Sequence, residues 1–177
     1  MFLHTIGHST RPIDVFVELL NTHGVELLID VRTVPRSRTN SQFNKDALPA
    51  SLSGRAIHYA HFADLGGLRK AHRDSENMGW HNASFRGYAD YMLTPEFHQA
   101  LERLSAVATE RATAIMCAEA VPWRCHRSLI ADAMTVQGHL VEHLMAKTSK
   151  PHVLTGFANV TDGRLTYPAP VEDQPPI

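Results

Sequence analysis

The most reactive side chains of this chain lie together in residues 114–128. The segment begins as a short apolar run, which is typical of a buried strand. Both cysteines of the chain, Cys117 and Cys125, follow this run together with Glu119 and His126. After His126 the apolar residues are spaced as on one face of a helix. The segment is therefore predicted to be a strand, a tight loop and a helix.

A cysteine in such a loop has several possible roles. Backbone N–H groups at the start of the helix, together with Arg124 and Arg127, would stabilise a thiolate at Cys117 and would also hold an anion. Cys117 is thus a candidate nucleophile, with His126 as an acid–base group. Alternatively, Cys117 is a small core residue, as free cysteine often is, and Cys125 is structural.

Two other predicted strands end in polar residues. His8 and Ser9 follow the apolar run at residues 2–6, and Asp30 and Arg32 follow the run at residues 25–29. The first run is mostly apolar, and the second is continuously apolar apart from Glu26. Continuous rather than alternating apolar runs predict parallel strands buried on both faces. Because parallel strands place their carboxyl ends at one edge of a sheet, we expect these side chains to meet near Cys117.

Most of these residues also have a structural interpretation. His8 can be a turn histidine bonded to the backbone, and Asp30 with Arg32 can be a structural ion pair. Glu119 can orient an arginine, accept a proton or cap the helix. On the functional interpretation, the catalytic residues are Cys117, His8, His126, Asp30 and Glu119, and the anion-binding residues are Arg32, Arg124, Arg127 and Ser9.

The alternation of strands and helices predicts a single α/β domain at residues 1–168, with a loose tail at 169–177. The expected architecture is a three-layer sandwich with a mostly parallel sheet of about five strands, Rossmann-like or rhodanese-like. Long polar loops after the second and third strands, residues 33–55 and 63–86, are candidate lids over the site.

Charge and composition bound the function. The net charge of −1 gives no global attraction to nucleic acid or membranes, although residues 32–73 hold eight Lys or Arg against two acids. No stretch approaches the ~20 apolar residues of a membrane span, and the N-terminus lacks the features of a signal peptide. A cytoplasmic location is therefore expected, with free thiols rather than a disulfide. The predicted partners are an anionic small molecule or nucleic acid.

Two further classes of function remain open. Cys117, Cys125, His126 and His8 form a mixed sulfur and nitrogen set that would suit zinc, although their spacing matches no standard zinc signature. The other class is a non-catalytic binder of nucleotide or nucleic acid. It would use basic side chains on phosphates and aromatic rings for stacking: Arg32, Arg36, Arg38, Arg69, Lys70 and Arg73, with Tyr59, Trp80 and Phe85.

Four ordered motifs carry a family resemblance. They are Thr5-Ile6-Gly7-His8-Ser9, then Asp30-Val31-Arg32 with Pro35 and Ser37, then Leu65-Gly66-Gly67, then Cys117-Ala118-Glu119 with Cys125-His126-Arg127. Over nearly the whole chain these motifs resemble the bacterial family catalogued as domain of unknown function four-eight-eight. The resemblance implies a compact α/β domain from the cytoplasm of a bacterium or archaeon, and no established reaction. It also implies that the shared motif positions are His8, Asp30, Arg32, Cys117, Glu119, Cys125, His126 and Arg127.

The order of the motifs also resembles, more weakly, the layout of rhodanese-like domains and cysteine phosphatases. The arginine that such phosphatases place in this loop corresponds here to Trp123, with Arg124 one residue later. Taken together, the sequence predicts a small thiol- or metal-dependent hydrolase or transferase. Its substrate would be a phosphate- or sulfur-bearing anion, including a nucleotide or nucleic acid. The alternatives are a non-catalytic binding module and a metal-binding domain.

Overall fold

A six-stranded sheet forms the centre of the protein, which is described here by a computed structural model covering residues 1–170. Its order is β3-β2-β4-β1-β5-β6. The strands are β1 (Phe2–Gly7), β2 (Leu27–Asp30), β3 (His58–His61), β4 (Thr113–Cys117), β5 (Leu140–Leu144) and β6 (Ser149–Pro151). The first five are parallel and β6 is antiparallel to β5, which confirms the predicted mostly parallel sheet.

Helices cover both faces of the sheet. They are α1 (Ile13–Thr22), α2 (Leu48–Ser53), α3 (Ala83–Tyr91), α4 (Pro95–Glu110) and α5 (Arg127–Val136). Successive residues of β4 point to opposite faces, so Ile115 packs with residues of α3, α4 and α5, and Met116 packs with residues of α1 and α2. The predicted three-layer sandwich is therefore confirmed, and the continuously apolar strands are explained by burial on both sides.

Outside the sheet, a short hairpin joins β7 (Asn159–Thr161) to β8 (Arg164–Thr166). Asp162 and Gly163 at its tip have φ angles of 51° and 78°, the backbone of a tight two-residue turn. Most of the predicted tail, from residue 171 onward, lies outside the described residues. No helix among residues 1–170 combines the length and apolar character needed to cross a membrane.

The strand register brings three strand ends to the same level. Gly7 is paired with Cys117, and Asp30 is paired with Met116. The pairing of β1 with β4 continues beyond the strands, where the His8 N–H donates to the Cys117 carbonyl at 3.0 Å. A side chain at position 7 would overlap the Glu119 carbonyl, so glycine lets the loop after β4 cross the end of β1 closely.

Candidate functional site

Cys117, Cys125 and His126 form the thiol–histidine cluster of the protein. The Nδ1 atom of His126 lies 4.0 Å from the Cys117 sulfur and 3.7 Å from the Cys125 sulfur. All three atoms lie within 4.8 Å of one another. In residues 1–170 this is the one group of three or more His, Cys, Asp or Glu side chains whose possible ligand atoms converge in this way.

Local chain geometry explains the convergence. Cys117 is the last residue of β4, and a single turn at Pro122–Arg124 then reverses the chain. The Cys125 N–H donates to the Pro122 carbonyl at 2.9 Å, and the Ser128 hydroxyl donates to the Cys125 carbonyl at 3.0 Å. These bonds place Cys125 and His126 immediately before α5, where the loop faces the end of β4.

The tautomer of His126 follows from its second nitrogen. Nε2 lies 3.0 Å from the Val31 carbonyl oxygen, which can only accept, so Nε2 carries the proton. The lone pair of Nδ1 is therefore directed at the two thiols. Gly67 lies against this edge of the ring, where a Cβ atom would be 2.5 Å from Nδ1.

The two thiols share protons unequally. A hydrogen bond from Cys117 holds the pKa of Cys125 well below its ordinary value, and the charge of Arg127 lowers it in the same direction. The same hydrogen bond, together with burial, raises the pKa of Cys117 well above its ordinary value. The pair therefore gives up its first proton readily and its second reluctantly, as interacting sites do.

Arg127 is a buried cation with no carboxylate on its guanidinium. Its side chain is 1% exposed, and it donates to the Thr5 hydroxyl at 3.2 Å and to the Glu119 carbonyl. Its Nε has no hydrogen-bond partner within the described chain. Such a charge needs a negative group nearby, and the positive charge of Arg127 favours the thiolate form of the neighbouring thiol pair.

A buried hydrogen-bond chain connects Arg127 to Asp132. The Asp132 carboxylate accepts from His152 Nε2 at 2.8 Å, so His152 Nδ1 accepts from His143 Nε2 at 3.0 Å. His143 Nδ1 then accepts from the Thr5 hydroxyl at 2.8 Å, and that oxygen accepts from Arg127. We call these five residues the Arg127–Asp132 relay. Every donor in it points toward the carboxylate, so the relay is polarised from cation to anion.

The relay makes stability depend on pH. Burial lowers the pKa of His143 from 6.5 to about 4, so the unfolded chain binds this proton more tightly than the folded protein. The stability contributed by neutral His143 is thus present above pH 6.5 and is lost as pH falls toward 4, by up to about 3 kcal/mol. Urea unfolding between pH 7 and pH 4.5 is expected to show a steeper loss for the wild type than for His143→Asn. Parallel slopes would contradict this assignment.

His8, Asp30 and Arg32 form a second buried cluster beside the first. Arg32 makes a bidentate ion pair with Asp30, through Nε at 2.9 Å and Nη2 at 2.6 Å, and also donates to the Phe43 carbonyl. Tyr59 donates its hydroxyl to Asp30 at 2.9 Å. The predicted ion pair is thus present, and its carboxylate is engaged in orienting Arg32.

His8 is held neutral in this cluster. Its Nε2 accepts from Arg32 Nη1 at 3.2 Å, while Nδ1 donates to the Ser9 carbonyl at 2.8 Å. Its ring stacks on Phe43 with centroids 4.3 Å apart. Burial, together with the charge of Arg32, lowers the pKa of His8 to about 4. The lone pair of His8 therefore already accepts a hydrogen bond from an arginine, whereas the lone pair of His126 faces the two thiols.

Two cavities open at this edge of the sheet. The site cavity, of about 400 Å³, is lined by the thiol–histidine cluster together with Arg32, Glu119 and Arg124. The adjoining cavity, of about 440 Å³, is lined by His8, Ser9 and Arg36, and shares Arg32 and Glu119 with the first. The candidate lids contribute walls to both cavities, including Gly67, Leu68 and Phe85 to the site cavity.

The structure thus divides the predicted site residues into three groups. Cys117, His126, Glu119, Arg32 and Arg124 line the site cavity, as does Cys125. His8 and Ser9 line the adjoining cavity. His8 is not part of the thiol–histidine cluster. Asp30 and Arg127 are buried behind these surfaces, at 0% and 1% exposure. Asp30 orients Arg32, and Arg127 donates to the Glu119 carbonyl.

Three members of the relay, His143, His152 and Asp132, were not predicted from the sequence. His143 lies in β5, His152 directly follows β6, and Asp132 lies in α5, and no motif joins them. In the sequence, the only indication of Asp132 and His143 is that each is a polar residue among the apolar residues of a buried helix or strand. Of the aromatic residues predicted for stacking, Phe85 lines the site cavity, and Tyr59 is engaged with Asp30.

Comparison with known proteins agrees with the motifs. No curated protein and no solved structure matches the chain. A family model, Domain of unknown function DUF488, matches residues 12–134, which is more than half of the chain and includes Asp30, Arg32 and the thiol–histidine cluster. The chain therefore belongs to the DUF488 family.

Proposed function

We propose that this protein is a small enzyme that acts on an anionic substrate in the site cavity, with the thiol–histidine cluster as its reactive centre. The observation that carries the proposal is the convergence of two thiols and the free Nδ1 of His126 on a cavity that arginines also line. Its volume of about 400 Å³ is in the range of small-molecule sites.

Two arginines supply the attraction for an anion. Arg124 is exposed at the site cavity and makes no ion pair within the described chain. Arg32 uses four of its five N–H groups on Asp30, Phe43 and His8, which leaves one Nη1 hydrogen for a ligand. Because Asp30 orients this guanidinium, its position is set before any ligand binds.

The remaining groups fit nucleophilic transfer or hydrolysis. A thiolate would form a bond to a phosphorus, sulfur or carbonyl centre while the bond to the leaving group breaks. His126 Nδ1 can take the thiol proton and return it to the leaving group, and Glu119 lines the same cavity as a second acid–base group. The volume of the site cavity, about 400 Å³, supports a small substrate over a long nucleic acid. Arg69, one of the predicted phosphate contacts, is occupied in a stacking contact with Tyr91 at 3.6 Å.

Affinity labelling tests the proposal. The rate of alkylation at Cys117 and Cys125 is compared for anionic iodoacetate and neutral iodoacetamide, with a chelator present. We expect the rate ratio to exceed that of free cysteine by about 10-fold, because the arginines concentrate anions at the thiols. Pyrophosphate should protect both thiols.

The control separates the site from general surface charge. Arg124→Gln should abolish most of the preference for iodoacetate. Arg111→Gln removes an exposed arginine just before the opposite end of β4 and should leave the preference unchanged. A ratio equal to that of free cysteine, or equal effects of the two variants, would contradict an anion site at the thiols. Protection by a long oligonucleotide but not by pyrophosphate would favour the nucleic-acid binder instead.

A further inference from the structure

We propose that Cys117, Cys125 and His126 are three ligands of a zinc-type metal centre whose fourth position opens into the site cavity. This inference rests on the proposed function and deepens it by naming what activates the anionic substrate in the same cavity. With zinc bound, the ion would take that role, because its three ligands could not also serve as nucleophile and proton acceptor. The three side chains supply two soft sulfur donors and one imidazole nitrogen, a set that selects zinc over magnesium or calcium.

Distances support the assignment. With zinc–sulfur and zinc–nitrogen bonds of about 2.3 Å and 2.0 Å, a tetrahedral site separates a sulfur from a nitrogen ligand by about 3.5 Å. The observed separations between Nδ1 and the two sulfurs are 3.7 Å and 4.0 Å. Side-chain adjustments of a few tenths of an ångström would therefore bring both nitrogen–sulfur separations to the tetrahedral value.

The surroundings of His126 match those of a metal-bound histidine. Metal-ligating histidines usually donate their other ring N–H to a carbonyl or carboxylate, which fixes the tautomer and the ring orientation. His126 makes this bond to Val31, and its ring also packs against Tyr88, with centroids 5.0 Å apart. The imidazole is thus held with its lone pair toward the sulfurs without any contribution from a ligand.

Only three protein donors converge within residues 1–170, and all three line the site cavity. Structural zinc sites are closed by four protein ligands, whereas sites with three keep a position for water or substrate. The charges also agree: two metal-bound thiolates would offset the two positive charges of the ion, and the Arg127 guanidinium buried behind the loop would keep the centre attractive to an anionic ligand.

Cobalt substitution tests the centre directly. Co²⁺ is added to the 177-residue chain after chelator treatment, and the absorption spectrum is recorded. We expect one Co²⁺ per chain, a thiolate-to-cobalt charge-transfer band, and the intense visible bands of tetrahedral cobalt. Zn²⁺ should displace the cobalt stoichiometrically. Inorganic phosphate or azide should shift the visible bands, because the fourth position is open.

Variants assign the ligands. Cys125→Ser and His126→Gln should each weaken Co²⁺ binding more than about 100-fold, beyond the loss typical of changes around a metal ligand. His98→Gln, at an exposed position on α4, should leave binding unchanged. Circular dichroism of each variant checks folding, and the wild-type spectrum tests the sulfur ligands even if a variant fails to fold.

Each outcome bears on one claim. Absence of the charge-transfer band, or formation of a Cys117–Cys125 disulfide in place of metal binding, would overturn the metal centre. Bands that do not respond to phosphate or azide would overturn the open fourth position. If the preference for iodoacetate persists without metal binding, only the metal centre fails. If metal binds but the preference is absent, only the proposed function fails.

Discussion

The substitution Asp30→Asn is expected to lower the free energy of unfolding by about 3–5 kcal/mol, as is typical when one partner of a buried ion pair is removed. Asp30 is fully buried and Arg32 is 7% exposed, and their bidentate contact is as short as 2.6 Å. An asparagine would keep the shape but leave the Arg32 guanidinium without its counter-charge. Urea unfolding at pH 7 gives the change directly.

An exposed ion pair provides the matched control. Arg103 and Asp64 are also 2.6 Å apart, but their side chains are 53% and 43% exposed. Asp64→Asn should cost less than about 1 kcal/mol, because solvent screens the charges. The double variant Asp30→Asn/Arg32→Met should recover part of the loss by removing the stranded charge. Equal costs at Asp30 and Asp64 would show that burial does not govern this pair.

Asp132→Asn is expected to have an effect of similar size, about 3–5 kcal/mol, for a different reason. The carboxylate accepts four hydrogen bonds, from His152, from the Thr155 N–H and hydroxyl, and from the Tyr167 hydroxyl. An amide at this buried position replaces one acceptor oxygen with two donors that face other donors, and each unsatisfied group costs about 1–3 kcal/mol. Urea unfolding measures the total.

The hairpin supplies the control for this substitution. Asp162→Asn lies at an exposed turn with positive φ, where asparagine is at least as well accommodated, so its effect should stay within about 0.5 kcal/mol. Hydrogen exchange should show that Asp132→Asn increases exchange in residues 151–155 and around Tyr167. A uniform increase across the whole sheet, or no loss of stability at all, would contradict the role assigned to this carboxylate.

Asp30 and Asp132 differ in how far their buried contacts can be predicted from the sequence. Asp30 and Arg32 are two residues apart after an apolar run, so an ion pair between them was predictable. The relay joins positions as far apart as Thr5 and His143, through hydrogen bonds that exist only once β1 and β5 pair. Local spacing contains no information about such pairings, because they depend on strand order.

The amino-acid sequence by itself determined the α/β class, the mostly parallel sheet and the edge at which reactive groups collect. These follow from continuous apolar runs and from the polar residues that end them, which are local properties of the chain. The sequence also indicated Cys117, Cys125 and His126 as one unit, because a single short loop carries all three.

Only the tertiary structure decided which of the candidates act together. Placing β4 between β2 and β1 brings Val31 to His126, and this contact directs Nδ1 at the thiols. The same placement leaves His8 bonded to Arg32 and the Arg127 guanidinium buried behind the loop. A histidine ring has two nitrogens whose roles are set by what each one contacts, and those contacts come from residues distant in the chain.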